Sequence, residues 1–256
     1  MTRFLARSWS ASLALIVALV VPVPARAWQD TARAHVPFAV GEELVYHATF
    51  GGLPAGKARM RVDAIEVIRD RPAYHIVFTV DGGVPLIFSV HDRYDSWIDV
   101  ETLSSLRHIQ RISEGRYKRN TIFEIWPDRC EYQKNDEPIQ RSVSHPLDDG
   151  SFIYAVRIAG VQPGEIRRDD RYFRPDRNPV VLTGLGVDTV KVGAGTFVAT
   201  VVRPTIKTGG LFAENTDARV WFSNDAKRYP VLVKTKFARF SVTLTLDSIV
   251  ARDSTR

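Results

Sequence analysis

The chain has 256 residues, of which 45 % are hydrophobic and 25 % charged, and its formal net charge at pH 7 is +6. The positive charges are spread along the chain without a basic run, which excludes the usual footprint of a nucleic-acid-binding protein. One cysteine, Cys130, excludes an intramolecular disulfide and a cysteine-built metal site. We expect Cys130 to be a partly buried, unreactive thiol, because no histidine lies near it in sequence to act as a base.

Residues 1–27 have the pattern of a secretory signal peptide. Arg3 and Arg7 precede an uncharged apolar run at 11–21, and the sequence Ala-Arg-Ala at 25–27 has small residues where signal peptidase cleaves. The apolar run is shorter than the ~20 residues needed to span a bilayer. We therefore predict cleavage after Ala27 and a periplasmic location in a Gram-negative-type bacterium. The mature chain would carry a charge of +3 and no membrane-spanning segment.

The remaining 229 residues are enough to bury a full core and contain no obvious linker or low-complexity segment. We predict a flexible mature N-terminus at 28–36, a single antiparallel β domain at 37–250 and a C-terminal tail at 251–256. A division into two lobes is compatible with the sequence, but one continuous sheet is the simpler interpretation.

Short segments in which apolar residues alternate with period two predict a mostly β protein. In 44–50, Leu44, Tyr46 and Ala48 share one face, and the glycines of 51–56 predict a hairpin to the next strand. The glycines of 81–85 predict a bend, and the slipped alternation at 65–68 predicts a bulge or the end of a strand. Other predicted strands are 58–64, 74–80, 86–90, 97–99, 106–114, 116–126, 166–174, 180–183, 188–192, 196–203, 219–222, a strand that opens at Pro230, and 242–246.

One segment breaks the β pattern and predicts the main α-helix, at about residues 149–159. A capping Asp or Ser precedes apolar residues at helical spacing, including Phe152 and Val156, and Gly160 ends the segment. Asp148 and Asp149 are better explained as charges at the helix N-terminus than as a catalytic carboxylate pair. The predicted fold class is mainly β, a strongly curved antiparallel sheet or incomplete barrel with this one helix.

Two tryptophan-led units of the chain resemble each other. Trp97 begins a strand, a polar turn and two further strands that end at Trp126, and Trp221 begins the same succession, which ends near Val250. We interpret these as an internal structural echo in which each Trp ring packs over the two strands that follow it. A chance likeness between two meanders is the alternative.

The sequence contains no recognisable catalytic, cofactor or metal site. The six histidines (His35, His47, His75, His91, His108 and His145) do not fall at metal-ligand spacing. His47, His75 and His108 lie on predicted strands and could converge, but strand histidines with satisfied hydrogen bonds are the expected case. The polar stretch 91–95 is interpreted as a solvated strand edge, and Gly184-Leu185-Gly186 precedes a strand, where it cannot aim helix N–H groups at a phosphate. The glycine-bearing segment 207–212 is compatible with a loop that gates a cavity and with a plain connection.

A set of motifs along nearly the whole mature chain resembles a bacterial exported family, domain of unknown function 3108. The residues that carry the resemblance are 40–46, Gly52 to Ala58, Asp95 to Asp99, Thr102-Leu103, Glu114-Gly115, Asp148 to Arg157, Gly195 to Phe197, Pro204, Gly209 to Phe212, and Val220 to Asp225 running into Arg228 to Val231. The chain departs from the family pattern at Arg239, where a turn glycine is common. The family has no assigned activity, so the resemblance implies no catalytic residue.

The strand-turn-strand pattern around Trp97 and Trp221 is also similar, more remotely, to carriers of outer-membrane lipoproteins, whose fold is an incomplete barrel around a hydrophobic cavity. The interior of such a sheet is either filled by side chains or open to a lipid-like ligand. The leading expectation is a protein that binds or carries a hydrophobic or envelope-derived molecule without catalysis. The alternative is a structural or interaction module that contacts an envelope protein, and an enzyme with an unrecognised site comes third.

Overall fold

The structure, a computed structural model, describes residues 36–84, 88–207, 212–214, 216–236 and 241–250. The predicted signal peptide at 1–27, residues 28–35 of the predicted N-terminal segment, Arg239 and the predicted tail at 251–256 lie outside these ranges. The strands are β1 Glu43–Phe50, β2 Leu53–Ile68, β3 Arg71–Val84, β4 Phe88–Asp99, β5 Ser105–Glu114, β6 Tyr117–Trp126, β7 Glu131–Lys134, β8 Gln140–Arg141, β9 Ile166–Asp169, β10 Val180–Val192, β11 Gly195–Thr205, β12 Asp217–Ser223, β13 Pro230–Lys236 and β14 Ser241–Val250; the helix α1 is Asp149–Ala159.

The strands form one antiparallel sheet in the order β8-β7-β6-β5-β4-β3-β2-β1-β14-β13-β12-β11-β10-β9. The first and last strands of the described ranges, β1 and β14, pair at the centre of the sheet. One arm therefore runs from β1 out to β8, and the other runs from β14 out to β9. No ladder joins β8 to β9 within the described ranges, so the sheet is open. The predicted mainly β fold with one helix is confirmed.

Apolar side chains from both arms meet in one core, which requires the sheet to curve. Phe123 of β6 and Tyr132 of β7 belong to the same buried cluster as Leu182 of β10 and Val220 of β12. These strands lie far apart in the order of the sheet, so their membership of one buried cluster means that the arms bend toward each other. Phe152 and Val156 of α1 also belong to this cluster. We call the face of the sheet that packs against α1 the inner face.

Helix α1 begins with a capping box at the predicted position. The Asp148 side chain accepts hydrogen bonds from the backbone N–H groups of Gly150 and Ser151, and the Ser151 hydroxyl accepts one from the N–H of Asp148. Asp148 also accepts a hydrogen bond from Ser96 of β4, at 2.7 Å. The cap that the sequence predicts therefore also fixes the start of the helix to the sheet. Within the described ranges, no helix has the length and apolar content that crossing a membrane requires.

The segment 180–192 differs from the prediction of two separate strands. It forms the continuous strand β10, whose register against β11 shifts between Gly184 and Gly186. A Cβ atom on Gly184 would lie 2.0 Å from the carbonyl oxygen of Gln162, and Gly186 has a φ of +147°. The glycines that suggested a break instead permit a bulge, because only glycine tolerates this close approach and this backbone conformation.

Two further local predictions are corrected, and a third is confirmed in one of its two forms. The glycines of 81–85 do not bend the chain before Val84, because Gly82 pairs with Gly56 where a Cβ atom would collide with the carbonyl oxygen of Ala55. Of the two alternatives for 65–68, the end of a strand is confirmed, because β2 ends at Ile68, and the bulge lies earlier, between Val62 and Ala64. The strand predicted at 166–174 ends at Asp169, because the following residues turn to pair with Leu147 beside the helix.

Trp97 and Trp221 have matching surroundings in the two arms. The indole N–H of Trp97 donates to Glu66 of β2 at 2.7 Å, and that of Trp221 donates to Asp188 of β10 at 3.0 Å. Each acceptor therefore lies two strands before its tryptophan. A cation from the following strand lies over each ring, Arg107 at 5.8 Å and Lys234 at 5.4 Å. The similarity between the two units thus extends to side-chain contacts. The prediction placed each Trp ring over the two strands that follow it, whereas each indole N–H donates to an earlier strand.

Candidate functional site

A cavity of about 690 Å³ opens on the inner face, between strands β3 to β7 and the segment 172–177. The N-terminus of α1 contributes Asp149 and Gly150 to its wall. This volume lies within the roughly 300–1,000 Å³ that small-molecule sites occupy. The side chains that the structure describes therefore do not fill the inner face at this end of the sheet. Seven aromatic residues line the cavity: Phe78, Tyr94, Phe123, Tyr132, Tyr172, Phe173 and Phe212.

A smaller apolar recess of about 60 Å³ lies between α1 and strands β10 to β12. It shares Asp149, Tyr172 and Phe212 with the large cavity. Aliphatic and aromatic side chains such as Phe152 and Leu182 form the rest of its wall. The cavity thus has an apolar extension under the helix. The polar side chains of Asp149 and Tyr172 lie at the boundary between the cavity and this extension.

A chain of hydrogen bonds crosses this boundary from one side of the cavity to the other. Arg119 donates to the Gln110 side-chain oxygen at 3.1 Å, and the Gln110 amide donates to Asp149 at 2.9 Å. The Tyr172 hydroxyl donates to the other Asp149 oxygen at 2.6 Å and accepts from Arg177 at 2.8 Å. We call Arg119, Gln110, Asp149, Tyr172 and Arg177 the polar bridge.

The protonation states within the polar bridge follow from its contacts. Burial raises the pKa of Asp149, but the interactions with His108 and the Tyr172 hydroxyl outweigh it, so the net pKa is below the ordinary value. Burial and the neighbouring Asp149 charge raise the pKa of Tyr172 well above its ordinary value. At neutral pH Asp149 is therefore an ionised acceptor and Tyr172 a protonated donor.

Cations outnumber acids on the cavity wall. Arg119, Lys134, Arg174 and Arg177 line it together with the two acids Glu137 and Asp149. Lys134 pairs with Glu137 at 2.6 Å, and Arg174 pairs with Asp176 at 3.1 Å. Within the described ranges, Arg119 and Arg177 form no ion pair with a carboxylate, and Nε of Arg174 and of Arg177 is buried without a hydrogen-bond partner. The cavity therefore combines aromatic surface with unneutralised positive charge.

Three side chains beside the cavity resemble a hydrolase triad in their order: Ser96, His108 and Asp149. His108 Nδ1 lies 3.1 Å from Ser96 Oγ, and its Nε2 lies 3.6 Å from Asp149 Oδ2. A nucleophilic serine must be accessible and must give its proton to the histidine. Here Ser96 is buried and donates to Asp148, the helix cap. The three residues thus fix α1 to the sheet, and Ser96 does not line the cavity.

His108 itself is fully buried between two carboxylates. Burial alone lowers its pKa, but the nearby charges of Asp148 and Asp149 outweigh burial, and the net pKa is raised. Its Nδ1 lies 3.0 Å from the carbonyl oxygen of Asp95, and the ring stacks between Tyr94 and Phe123. His108 therefore connects the wall of the cavity to the helix N-terminus.

The other residues considered from the sequence are dispersed. His75 and His108 both contact Asp95, through its side chain and its backbone, whereas His47 pairs with Asp247 in another part of the sheet. His91 contacts Asp81, His145 contacts Ser104, and His35 lies outside the described ranges. Cys130 is a free, partly buried thiol. Across the ranges that the structure describes, no group of three or more side chains could hold a metal ion.

The sequence interpretation assigned no ligand-binding residue, and the polar bridge was missed. Tyr172 and Arg174 lie at the end of the segment 166–174, which was predicted as a strand, and Arg177 follows it; Asp149 was interpreted as a helix charge. Asp148 does cap the helix, whereas the Asp149 side chain is 37 % exposed and lines the cavity. The available signal was the sequence Tyr-Phe-Arg-Pro-Asp-Arg at 172–177, in which aromatic residues and arginines are adjacent. Of the segment 207–212, Phe212 lines the cavity, and 208–211 lie outside the described ranges.

The chain matches one known protein family over most of its length. The family is described as a protein of unknown function (DUF3108), and the match covers residues 45–247. No curated protein sequence matches the chain.

Solved structures resemble the fold. A β-barrel-like protein of domain of unknown function DUF1849 from Brucella abortus has a TM-score of 0.53 at 9 % identity, and the similarity covers 84 % of this chain and 98 % of that one. A candidate lipoprotein from Parabacteroides distasonis has a TM-score of 0.38 at 9 % identity, over 86 % of this chain and 99 % of the other. The first similarity supports the barrel-like fold. The TM-score of the second is too low to support a conclusion about the fold.

Proposed function

This chain belongs to the family of proteins of unknown function DUF3108, and from that premise we propose that it binds or carries a hydrophobic or envelope-derived molecule without catalysing a reaction. The observation that carries the proposal is the cavity of about 690 Å³ on the inner face, with its seven aromatic residues. Covering exposed aromatic surface is favourable by roughly 25 cal/mol per Å². An apolar ligand therefore has a driving force to occupy this space.

The rigid frame of the cavity supports binding in preference to chemistry. Most of its wall belongs to the regular strands β3 to β7 and to the capped end of α1. The one serine-histidine contact beside it belongs to the helix cap, as described above. Side chains held in this way form a preorganised binding surface, which reduces the conformational cost of binding.

Occupation of the cavity can be tested with an uncharged apolar fluorophore, N-phenylnaphthylamine. We expect saturable binding to the full mature chain, and lipid in organic extracts of freshly purified protein. Ile112 lies on the cavity wall, and Ile112→Trp should fill part of the space and abolish or strongly weaken binding. The matched control is Ile122→Trp, because Ile122 is 37 % exposed and is not on the cavity wall. Protein without extractable lipid and without saturable fluorophore binding would show that the proposal is wrong.

We also propose that the chain is exported to the periplasm after cleavage of residues 1–27. The support is the basic, apolar and small-residue succession of the first 27 residues. N-terminal sequencing of protein from the periplasmic fraction should begin at Trp28. Recovery of the uncleaved chain in the cytoplasmic fraction alone would contradict this.

A second candidate function is an envelope interaction module, and one surface favours it. Leu185, Val187 and Val198 of the neighbouring strands β10 and β11 are 43 %, 55 % and 53 % exposed, close to the edge strand β9. Exposed apolar groups next to an unpaired strand edge are typical of contact surfaces. If a binding partner is lost in the double variant Val187→Lys/Val198→Lys and retained by the Ile112→Trp variant, the interaction module is favoured over the carrier.

A further inference from the structure

Two arginines of the cavity differ from many others in the protein because neither forms a close ion pair with a described carboxylate. Arg59, Arg93 and Arg157, for example, each lie within 4.0 Å of a carboxylate oxygen. Arg119 and Arg177 line the cavity, and neither forms such a pair within the described ranges. Their charge therefore remains available to a ligand.

Both guanidinium groups are held in place by the polar bridge. Arg119 has one hydrogen bond to Gln110, and Arg177 has one to Tyr172 and also lies over the Tyr172 ring, 5.3 Å from its centroid. A guanidinium group has five N–H donors, so each arginine retains donors after these contacts. Orientation by one hydrogen bond, with the others free, suits the binding of a carboxylate or phosphate.

The acids of the wall are already engaged and do not compete for these donors. Asp149 accepts from Tyr172 and Gln110, and Glu137 accepts from Lys134. In addition, Nε of Arg174 and Nε of Arg177 are buried without a partner. Because unsatisfied buried donors are unfavourable, an acceptor that enters this end of the cavity would stabilise the site.

We propose that the ligand is an anionic amphiphile, whose acidic head group is bound by Arg119 and Arg177 and whose apolar body lies against the aromatic wall. The head is a carboxylate or a phosphate, which share the geometry that arginine recognises. The aromatic residues Phe78, Tyr94 and Phe123 supply the apolar contact. This inference rests on the proposed function, because it names the ligand chemistry of the same cavity.

Three ten-carbon probes with different heads test the inference: decanoate, decyl phosphate and decanol. Each is titrated against the mature protein loaded with N-phenylnaphthylamine, at concentrations below micelle formation. We expect at least one acid to displace the fluorophore at a concentration lower than decanol by about tenfold or more, because hydrogen bonds between charged groups are strong. The better acid identifies a carboxylate or a phosphate as the preferred head.

Single substitutions locate the effect. Arg177→Gln and Arg119→Gln should each weaken binding of the preferred acid by about tenfold and leave decanol within about twofold. Arg177→Lys keeps the charge without the planar fork and should give an intermediate loss. Arg203→Gln is the control, because Arg203 is exposed on β11 and is not on the cavity wall.

The outcomes separate this inference from the proposal on which it rests. If decanol displaces the fluorophore as well as the acids do, and the Arg119 and Arg177 variants bind all three probes like the wild type, the anionic-amphiphile inference is wrong and the cavity remains an apolar site. If neither the fluorophore nor any probe binds, both the proposed function and the inference are wrong.

Discussion

Arg157 is the largest side chain that is fully buried among the described residues. It donates two hydrogen bonds to Glu42, at 2.6 and 3.1 Å, and others to the carbonyl oxygens of Pro37 and Lys227. Aromatic rings also surround its guanidinium group, those of Phe38, Tyr154 and Tyr229. The charge is thus compensated, and it connects α1 to the segment before β1 and to the turn between β12 and β13.

Removing one partner of this buried pair should be strongly destabilising. Arg157→Met leaves Glu42 buried without its counter-charge, and we expect a loss of about 3–5 kcal/mol in the free energy of unfolding. Urea denaturation of the purified variant measures this loss. In Glu42→Gln/Arg157→Met the uncompensated charge is gone, so the double variant should be more stable than Arg157→Met. A loss of less than about 1 kcal/mol for Arg157→Met would contradict this role.

Asp95 is a second buried charge, on the opposite face from the cavity-lining Tyr94. It accepts hydrogen bonds from Arg93 and Arg111 and contacts His75 Nε2 at 2.8 Å. Burial raises its pKa, but the His75 and Arg93 interactions outweigh burial and hold the net pKa far below the ordinary value of 3.8. Asp95 therefore remains ionised in the folded protein at pH values where the unfolded chain binds a proton.

This difference predicts a stability contribution that depends on pH. Because the folded pKa is depressed, the contribution is fully present above the unfolded pKa of 3.8 and is lost as the pH falls below it. The free energy of unfolding of the wild type minus that of Asp95→Asn should shrink as the pH falls from about 5 toward 3. Urea titrations of both proteins across this range measure it. A difference that grows on acidification would exclude the assignment.

At the scale of single elements, Gly150 sets how closely α1 approaches the sheet. A Cβ atom at this position would lie 2.4 Å from Ser96 Oγ and 3.3 Å from Ser96 Cβ. Ser96 cannot easily turn aside, because it donates to Asp148 and contacts His108. Glycine in the first turn of α1 is thus explained by contact with β4.

Gly150→Ala should therefore destabilise the protein, although alanine is the better helix former by about 1 kcal/mol. We expect a loss of about 1–3 kcal/mol from the steric conflict, measured by thermal or urea unfolding. In the background Ser96→Ala the obstructing hydroxyl is absent, and the same substitution should cost clearly less. Equal losses in both backgrounds would show that Ser96 is not the cause.

Local sequence patterns predicted the strands and the helix well where the apolar residues of a segment follow a single periodicity. Alternation predicted that Leu44, Tyr46 and Ala48 share one face, and they are 0 %, 1 % and 7 % exposed. Capping residues predicted α1 with the bounds that the structure has. Prediction failed at glycines such as Gly184, because a bulge and a break have the same local composition, and the distant Gln162 decides between them.

The cavity was less accessible to sequence reasoning than the strands. Its polar bridge joins β5, β6, α1 and the segment 172–177, so the residues come together only when the sheet curves. No fixed spacing in the sequence marks such a set. The sequence left open whether the inner face is filled, and that depends on the summed packing of both arms.

At the scale of the whole molecule, the main feature is that strands near the two ends of the described chain pair with each other. The first strand pairs with the last, and the two arms that extend from this pair meet again around α1. Both ends of the helix are tied to the sheet, the first through Ser96 and the last through hydrogen bonds from Arg228 to the carbonyl oxygens of Arg157 and Ile158. Stability should therefore be greatest at the centre of the sheet and least at its two edges.

Amide hydrogen exchange should report this gradient along the order of the strands. Each central strand, including β1, β2 and β14, has ladder partners on both sides, whereas β8 and β9 are short and paired on one side only within the described ranges. Because local opening exposes the least-packed units first, amides of β8 and β9 should exchange fastest and those of β1 and β14 slowest. Mass spectrometry of peptic peptides measures the order, and Arg157→Met serves as a comparison in which the centre should lose protection. Protection of β9 equal to that of β1 would mean that an additional contact covers this edge.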